Sequence, residues 1–237
     1  RFRGHLGTRY TPSVVRLSLA QVRAAYRHAH KRGIIAIDPG SDLLAPREPD
    51  TEPETFTPGE LRAILAAPPT YRHECVVRLM AFGGLRRIEV CRLRWIDVSL
   101  ASQTLTVDGK AHKLRKVPIH PALAESLERW QTSSGSEYVG GTRRWGQLST
   151  DAFQRLIDAV SKESGVSIKR PRGSHTFRKT LATDLYERGV REDVLDAIFG
   201  WSKRSVRERF YSRIADEQMR QAILLAYRGE GVLPRLR

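Results

Sequence analysis

The chain has 237 residues, 40% of them hydrophobic, which suffices for a folded core and argues against a disordered chain. Lys and Arg number 41 against 26 Asp and Glu, a formal charge of +15, and an excess of that size implies a polyanionic partner, nucleic acid first. Cys75 and Cys91 are the only cysteines, too few for a disulfide framework and without metal-ligand spacing, so a reducing cytoplasm is the expected setting; no stretch nears the roughly 20 apolar residues that cross a bilayer.

The opening RFRGHLGTRY carries neither a Met nor an apolar signal segment and reads as the inside of a longer protein. Residues 14–32 place Val14, Leu17, Leu19, Val22, Ala25 and Tyr26 at near-helical spacing, and Gly33 ends that helix. From Asp38 to Pro53 four prolines and Gly40 break regular structure, so 38–54 is expected to be an interdomain linker after a helical, incomplete first domain, 1–37. Order restarts in TFTPGELRAIL, where Thr57 suits an N-cap, Pro58 the first helical position and Glu60 a capping box. The second domain is therefore expected over 55–237.

Its first part, HECVVRLMAFGGLRRIEVCRLRW, predicts a helix, a break at Gly83-Gly84 and a second helix opening near Arg86. RWIDVSL, QTLTVDG and KLRKVPI are short β-rich runs between turn residues and predict a small antiparallel sheet, with Lys110 in the turn between the last two. Helices are expected again over 121–130, 150–161, 175–187, 191–199, 203–211 and 216–227. The fold class is thus mainly α with one small antiparallel sheet.

Several side chains have ordinary readings when taken singly. Arg86 and Glu89 sit at the i,i+3 spacing of a surface ion pair. His175 and Arg178 lie near a helix N-terminus, where the dipole favours an anion, and Lys110 is a turn lysine. Together with Trp201 and Tyr211 they form a set that phosphodiester cleavage without a metal would need. Two guanidiniums clamp non-bridging oxygens, a histidine and an indole N–H add hydrogen bonds, a lysine protonates the departing alkoxide, and a tyrosine hydroxyl attacks. No GxxxxGK[ST] or GxGxxG run is present to anchor nucleotide hydrolysis or hydride transfer.

In these motifs the chain resembles the tyrosine recombinase (phage integrase) family, from about Leu17 to the last helix. GGLRRIEV matches the family's first box and maps the first catalytic arginine to Arg86 and its acidic companion to Glu89. GKAHKLRKVP keeps the spacing from the hairpin lysine, Lys110, to a Val-Pro pair, with Lys113 as the reserve. HTFRKT is the second box, giving His175 and Arg178, with Lys179 where many members have His or Arg. Gly200-Trp201 stands for a Gly-His or Gly-Trp pair, and Tyr211, ten residues on, for the nucleophile.

The resemblance implies a tyrosine recombinase catalytic fold preceded by the C-terminal part of a helical core-binding, DNA-binding domain. It implies a site-specific recombinase or integrase that works through a covalent 3′-phosphotyrosine, with no metal and no cofactor. The implied partners are double-stranded DNA attachment sites, a homo-tetramer on DNA joined through the C-terminal helix, and accessory DNA-bending proteins, in the cytoplasm of a bacterial host. Two other readings stay open at this stage: a type IB topoisomerase-like relaxing enzyme, and a DNA-binding regulator that keeps the fold without turnover.

Overall fold

A computed structural model describes residues 9–44, 54–109, 113–144, 146–168, 173–201 and 216–229. The chain divides into two compact units, Arg1–Glu52 and Pro53–Arg237.

In the first unit the helix α1 runs over Pro12–Lys31, with Thr11 before it and proline in its first turn. Val15 and Leu19 are its buried apolar residues, and Leu43 packs on them. Asp38 Oδ1 accepts from the Gly40 N–H at 2.8 Å, and Gly40 passes so near Arg23 and Tyr26 that a Cβ there would lie 3.2–3.3 Å from them. The stretch from Asp38 to Leu43, expected to be linker, therefore folds back onto α1, because its Asx turn reverses the chain and Leu43 finds an apolar stripe to cover.

The second unit opens with α2, Pro58–Ala66. Thr57 Oγ1 accepts from the Glu60 N–H and Glu60 Oε2 accepts from the Thr57 N–H, the reciprocal capping that TFTPGE predicts. Just before it, the Phe56 N–H donates to Thr180 Oγ1 at 2.9 Å and the Phe56 ring meets Phe177 at 4.9 Å, fastening the start of the unit to its middle. Helix α3, Tyr71–Ala81, is the central element: Cys75, Val76, Val77, Leu79, Met80 and Ala81 are wholly buried. Each large apolar side chain among them stabilises the fold by about 1.5–3 kcal/mol. Arg78 is buried in the same helix and keeps its charge through Glu74 at 2.6 Å and the Ala122 carbonyl at 2.6 Å.

After the glycine break come the short α4, Arg87–Arg92, a 3-10 turn at Trp95–Asp97, and three antiparallel strands in the order β1 (Val98–Ser99), β2 (Thr104–Asp108) and β3 (Leu114–Pro118). Leu105 pairs with Val117 and Val107 with Arg115. Directly opposed residues share a face, so Leu105, Val107, Arg115 and Val117 all turn inward. Helix α5 (Pro121–Ser134) packs on α3, as do α6 (Thr150–Ser164) and α7 (Ser174–Glu187); α8 (Glu192–Phe199) packs on α7 and β3. Gly200 ends α8 at φ +61°, a left-handed position that glycine takes without strain.

Helix α9, Asp216–Ile223, lies against β3 and α8. Met219, Ala222, Ile223, Ala226 and Tyr227 are buried in this same core. The helix is shorter than the 216–227 expected. The Leu225 and Ala226 N–H groups turn to carbonyls three residues back, and Tyr227 takes φ +56°, which brings its N–H to Asp184 Oδ2 at 2.9 Å and its hydroxyl to the Ala81 carbonyl at 3.1 Å. The helix expected over 203–211 lies outside the described residues.

Candidate active site

Gly84, at φ +59°, turns the chain out of α3 and presents its carbonyl to Arg178 Nη1 at 2.6 Å. Two residues later Arg86 closes on the first turn of α4: its N–H donates to Glu89 Oε2 at 2.7 Å and its Nη1 to Oε1 at 2.8 Å. The i,i+3 pair read from the sequence is therefore a buried device, since the Glu89 side chain is only 2% exposed. Arg115, from the inner face of β3, completes it with a fork, Nη1 to Oε1 at 2.8 Å and Nη2 to Oε2 at 2.9 Å. Burial alone would push the Glu89 carboxyl up. The hydrogen bonds from Arg115 and from the Arg86 N–H outweigh it and hold the carboxyl down at about 2.

Arg178, on α7, is 2% exposed. Its Nη1 reaches Gly84, its Nη2 donates to the Phe199 carbonyl, and its Cζ lies 4.8 Å from the Phe199 ring and 5.7 Å from that of Trp201. A guanidinium has five N–H bonds, so three remain after the two carbonyls are served. Burial, then the nearby charges of Arg86 and Arg115, lowers its pKa to about 9, still cationic at neutral pH. His175, one turn earlier, is exposed at the rim; desolvation of its inner side, then the charge of Arg178, lowers its pKa, which favours the neutral imidazole with a single N–H.

Arg86, His175 and Arg178 line one cleft of about 730 Å³, whose far wall carries Gln154 and Asp158 of α6, joined at 3.1 Å. The arrangement is an anion receptor: two guanidiniums and an imidazole aimed at one space, with a carboxylate behind them that anchors the first. Among the described residues no three His, Cys, Asp or Glu side chains gather as a metal site, and no helix is long and apolar enough to cross a membrane.

The structure thus brings together four of the side chains singled out from the sequence. Trp201 is stacked on Phe199 at 4.8 Å, behind Arg178, and lines a neighbouring groove with Tyr186 and Leu195 instead of the cleft itself. Lys110 and Tyr211 lie outside the described residues; the hairpin that carries Lys110 is closed by the Gly109 N–H on the Lys113 carbonyl at 3.0 Å. Lys113, the reserve lysine, and Lys179 are exposed. Sequence reasoning passed over Arg115. The signal for it was the two-residue alternation of β3, which puts position 115 on the same inward face as Val117.

The sequence profile of the Phage integrase family matches residues 54–218, the span that contains the whole cleft. The chain belongs to the phage integrase family. This family member is 30% identical over 231 residues to tyrosine recombinase XerA of Thermococcus kodakarensis, covering 94% of the chain and 78% of XerA. It is 30% identical over 194 residues to tyrosine recombinase XerC of Xanthomonas campestris, covering 77% of the chain; the matched part spans 60% of that XerC. Among solved structures, the family fold recurs in a lambda integrase dimer bound to a COC′ core site, with a TM-score of 0.67 at 20% identity over 86% of this chain and 80% of the other. It recurs in a lambda integrase tetramer bound to a Holliday junction, with a TM-score of 0.65 at 19% identity over 86% of this chain and 65% of the other.

Proposed function

We propose that this phage integrase family member is a site-specific DNA recombinase, which cuts and rejoins duplex DNA through a covalent 3′-phosphotyrosine. The observation that carries the reading is the convergence of Arg86, His175 and Arg178 on one cleft. Phosphoryl transfer needs such donors because negative charge on the non-bridging oxygens must be held while the bond to phosphorus changes hands.

Tyr211 is the nucleophile in this reading. Its hydroxyl gives up its proton to solvent as its oxygen bonds to phosphorus and the bond to the 5′-oxygen breaks, and Lys110 gives the departing 5′-oxygen a proton. One phosphoester replaces another, so the reverse attack by a 5′-hydroxyl reseals DNA without a nucleotide cofactor. Arg86 and Arg178 hold the phosphate, His175 adds a hydrogen bond, Glu89 anchors Arg86, and Trp201, stacked on Phe199 in the neighbouring groove, backs Arg178 instead of reaching the phosphate. Residues 1–37 and 55–237 act as two DNA-gripping domains joined by a linker within 38–54. Several copies bring two duplex sites together, as the lambda integrase tetramer on a Holliday junction suggests by analogy, and the reaction belongs in the cytoplasm.

A suicide duplex, nicked so that the 5′-fragment diffuses away after cleavage, tests the reading. The native chain is expected to give a denaturant-stable protein-DNA adduct at Tyr211, and Tyr211→Phe to bind the same duplex with unchanged affinity and give none. An adduct that persists in Tyr211→Phe assigns the nucleophile elsewhere. Binding without any adduct by the native chain makes it a DNA-binding protein, and relaxation of supercoiled DNA without exchange between two sites makes it a topoisomerase.

A further inference from the structure

We propose that Arg115 is a positioning residue for phosphoryl transfer, holding Arg86 through Glu89 and at the same time fixing the turn at Gly200 that leads toward Tyr211. This rests on the recombinase reading above. Three contacts of one side chain carry it. The planar fork of Arg115 meets both Glu89 oxygens at 2.8 and 2.9 Å, the same oxygens that take Arg86 Nη1 and the Arg86 N–H. Its Nε donates to the Ile198 carbonyl at 3.0 Å, at the C-terminal end of α8, where a cation also meets the negative end of the helix dipole. Its Cδ lies where it bars any side chain at 200: a Cβ on Gly200 would stand 2.9 Å away.

The side chain is 9% exposed and does not line the cleft, so it touches no reacting atom and acts through its neighbours. It links three stretches that are far apart in the chain: the Arg86 box, the hairpin strand that follows Lys110, and the end of α8 before Trp201. Lysine would keep the charge and lose the geometry, since an ammonium cannot grip two carboxylate oxygens in a plane and an Ile198 carbonyl together. The charged groups facing Glu89 are Arg86 on its own turn, Arg115 on β3 and Arg178 on α7. Without the Arg115 fork the carboxylate would rest on Arg86 alone at hydrogen-bond distance.

The test combines carboxyl 13C titration of Glu89 in the free protein with single-turnover cleavage of the suicide duplex, on the native chain, Arg115→Lys, Glu89→Gln and the double variant. Arg115→Lys is expected to raise the titration point of Glu89 and to slow cleavage by about 10–100-fold with DNA affinity unchanged. In the Glu89→Gln background the same change should slow cleavage by less than about 3-fold, because coupled residues are non-additive. Equal slowing in both backgrounds, or an unmoved titration point, reduces Arg115 to a fold staple and overturns the proposal. Gly200→Ala approaches the same contact from the other side without removing any charge; an unmoved Glu89 titration and native cleavage in that variant also overturn it. The titration arm uses no DNA. A shift there with no adduct from the native chain sinks the recombinase reading and with it the catalytic half of the proposal, whereas native cleavage that is indifferent to Arg115→Lys sinks the proposal alone.

Discussion

Glu89 keeps its charge in a place where a lone carboxylate would lose it. The residue is 5% exposed, and its carboxyl titrates at about 2 because Arg115 and the Arg86 N–H more than offset the cost of burial. The folded pKa lies below the ordinary carboxylate range, so the stabilising contribution is present above about pH 4.5 and lost as pH falls toward 2. A depression of that size corresponds to about 3 kcal/mol. Protonated glutamate and glutamine have nearly the same shape and neither is charged. Urea unfolding should therefore show the native chain more stable than Glu89→Gln by about 3 kcal/mol near pH 6, with the gap closing as the pH is lowered to 2. A gap that stays constant across that range would mean that shape, not charge, holds Glu89 in place. The sequence made Arg86, Glu89, His175 and Arg178 legible because box spacing places them. It left Arg115 unseen, since an arginine in a two-residue alternation looks like a surface residue until the pairing with Val107 turns it inward.

Among the elements, the glycine break between α3 and α4 carries the most site geometry. Gly84 combines a left-handed φ of +59° with a position where a Cβ would lie 2.5 Å from the Phe199 ring and 3.3 Å from Leu181. Its carbonyl also seats Arg178. Gly84→Ala should therefore destabilise the protein by at least about 2 kcal/mol, from backbone strain and overpacking together, and should slow adduct formation because Arg178 moves with the Phe199 ring it rests on. Thermal melts and the suicide duplex read both effects; a variant with native stability would show that α8 yields freely, and that the ring does not fix Arg178. Element positions such as this one are written locally, in Gly-Gly pairs and in caps like Thr57-Pro58-Gly59-Glu60, which is why the helices among the described residues and the three-stranded sheet could be read in advance. The end of α9 could not. Its course is set by Asp184 and Ala81, which receive Tyr227 from far away in the chain, and the Asp38–Leu43 fold-back similarly depends on a stripe of α1 that composition does not reveal.

For the whole molecule the governing quantity is the excess of fifteen positive charges. Internal ion pairs such as Arg78 with Glu74, Arg188 with Asp184 and Lys116 with Asp216 remove one charge of each sign, so pairing leaves the excess intact. The buried clamp around Glu89 goes further, since one carboxylate serves two arginines and leaves a net positive charge beside the cleft. A chain with this balance should bind duplex DNA largely by releasing counterions from phosphates. If it covers roughly six to ten of them, affinity for any duplex falls by about 10³–10⁵ between 50 and 200 mM salt. Fluorescence anisotropy with a labelled duplex of arbitrary sequence measures this directly. A loss of less than about tenfold across that range would mean that only one or two phosphates are held, and the cleft would then be the whole contact. The steep slope, by contrast, would place most of the affinity outside the cleft and leave Arg86, His175 and Arg178 free to discriminate the transition state from the bound phosphate, which is the division of labour that cleavage requires.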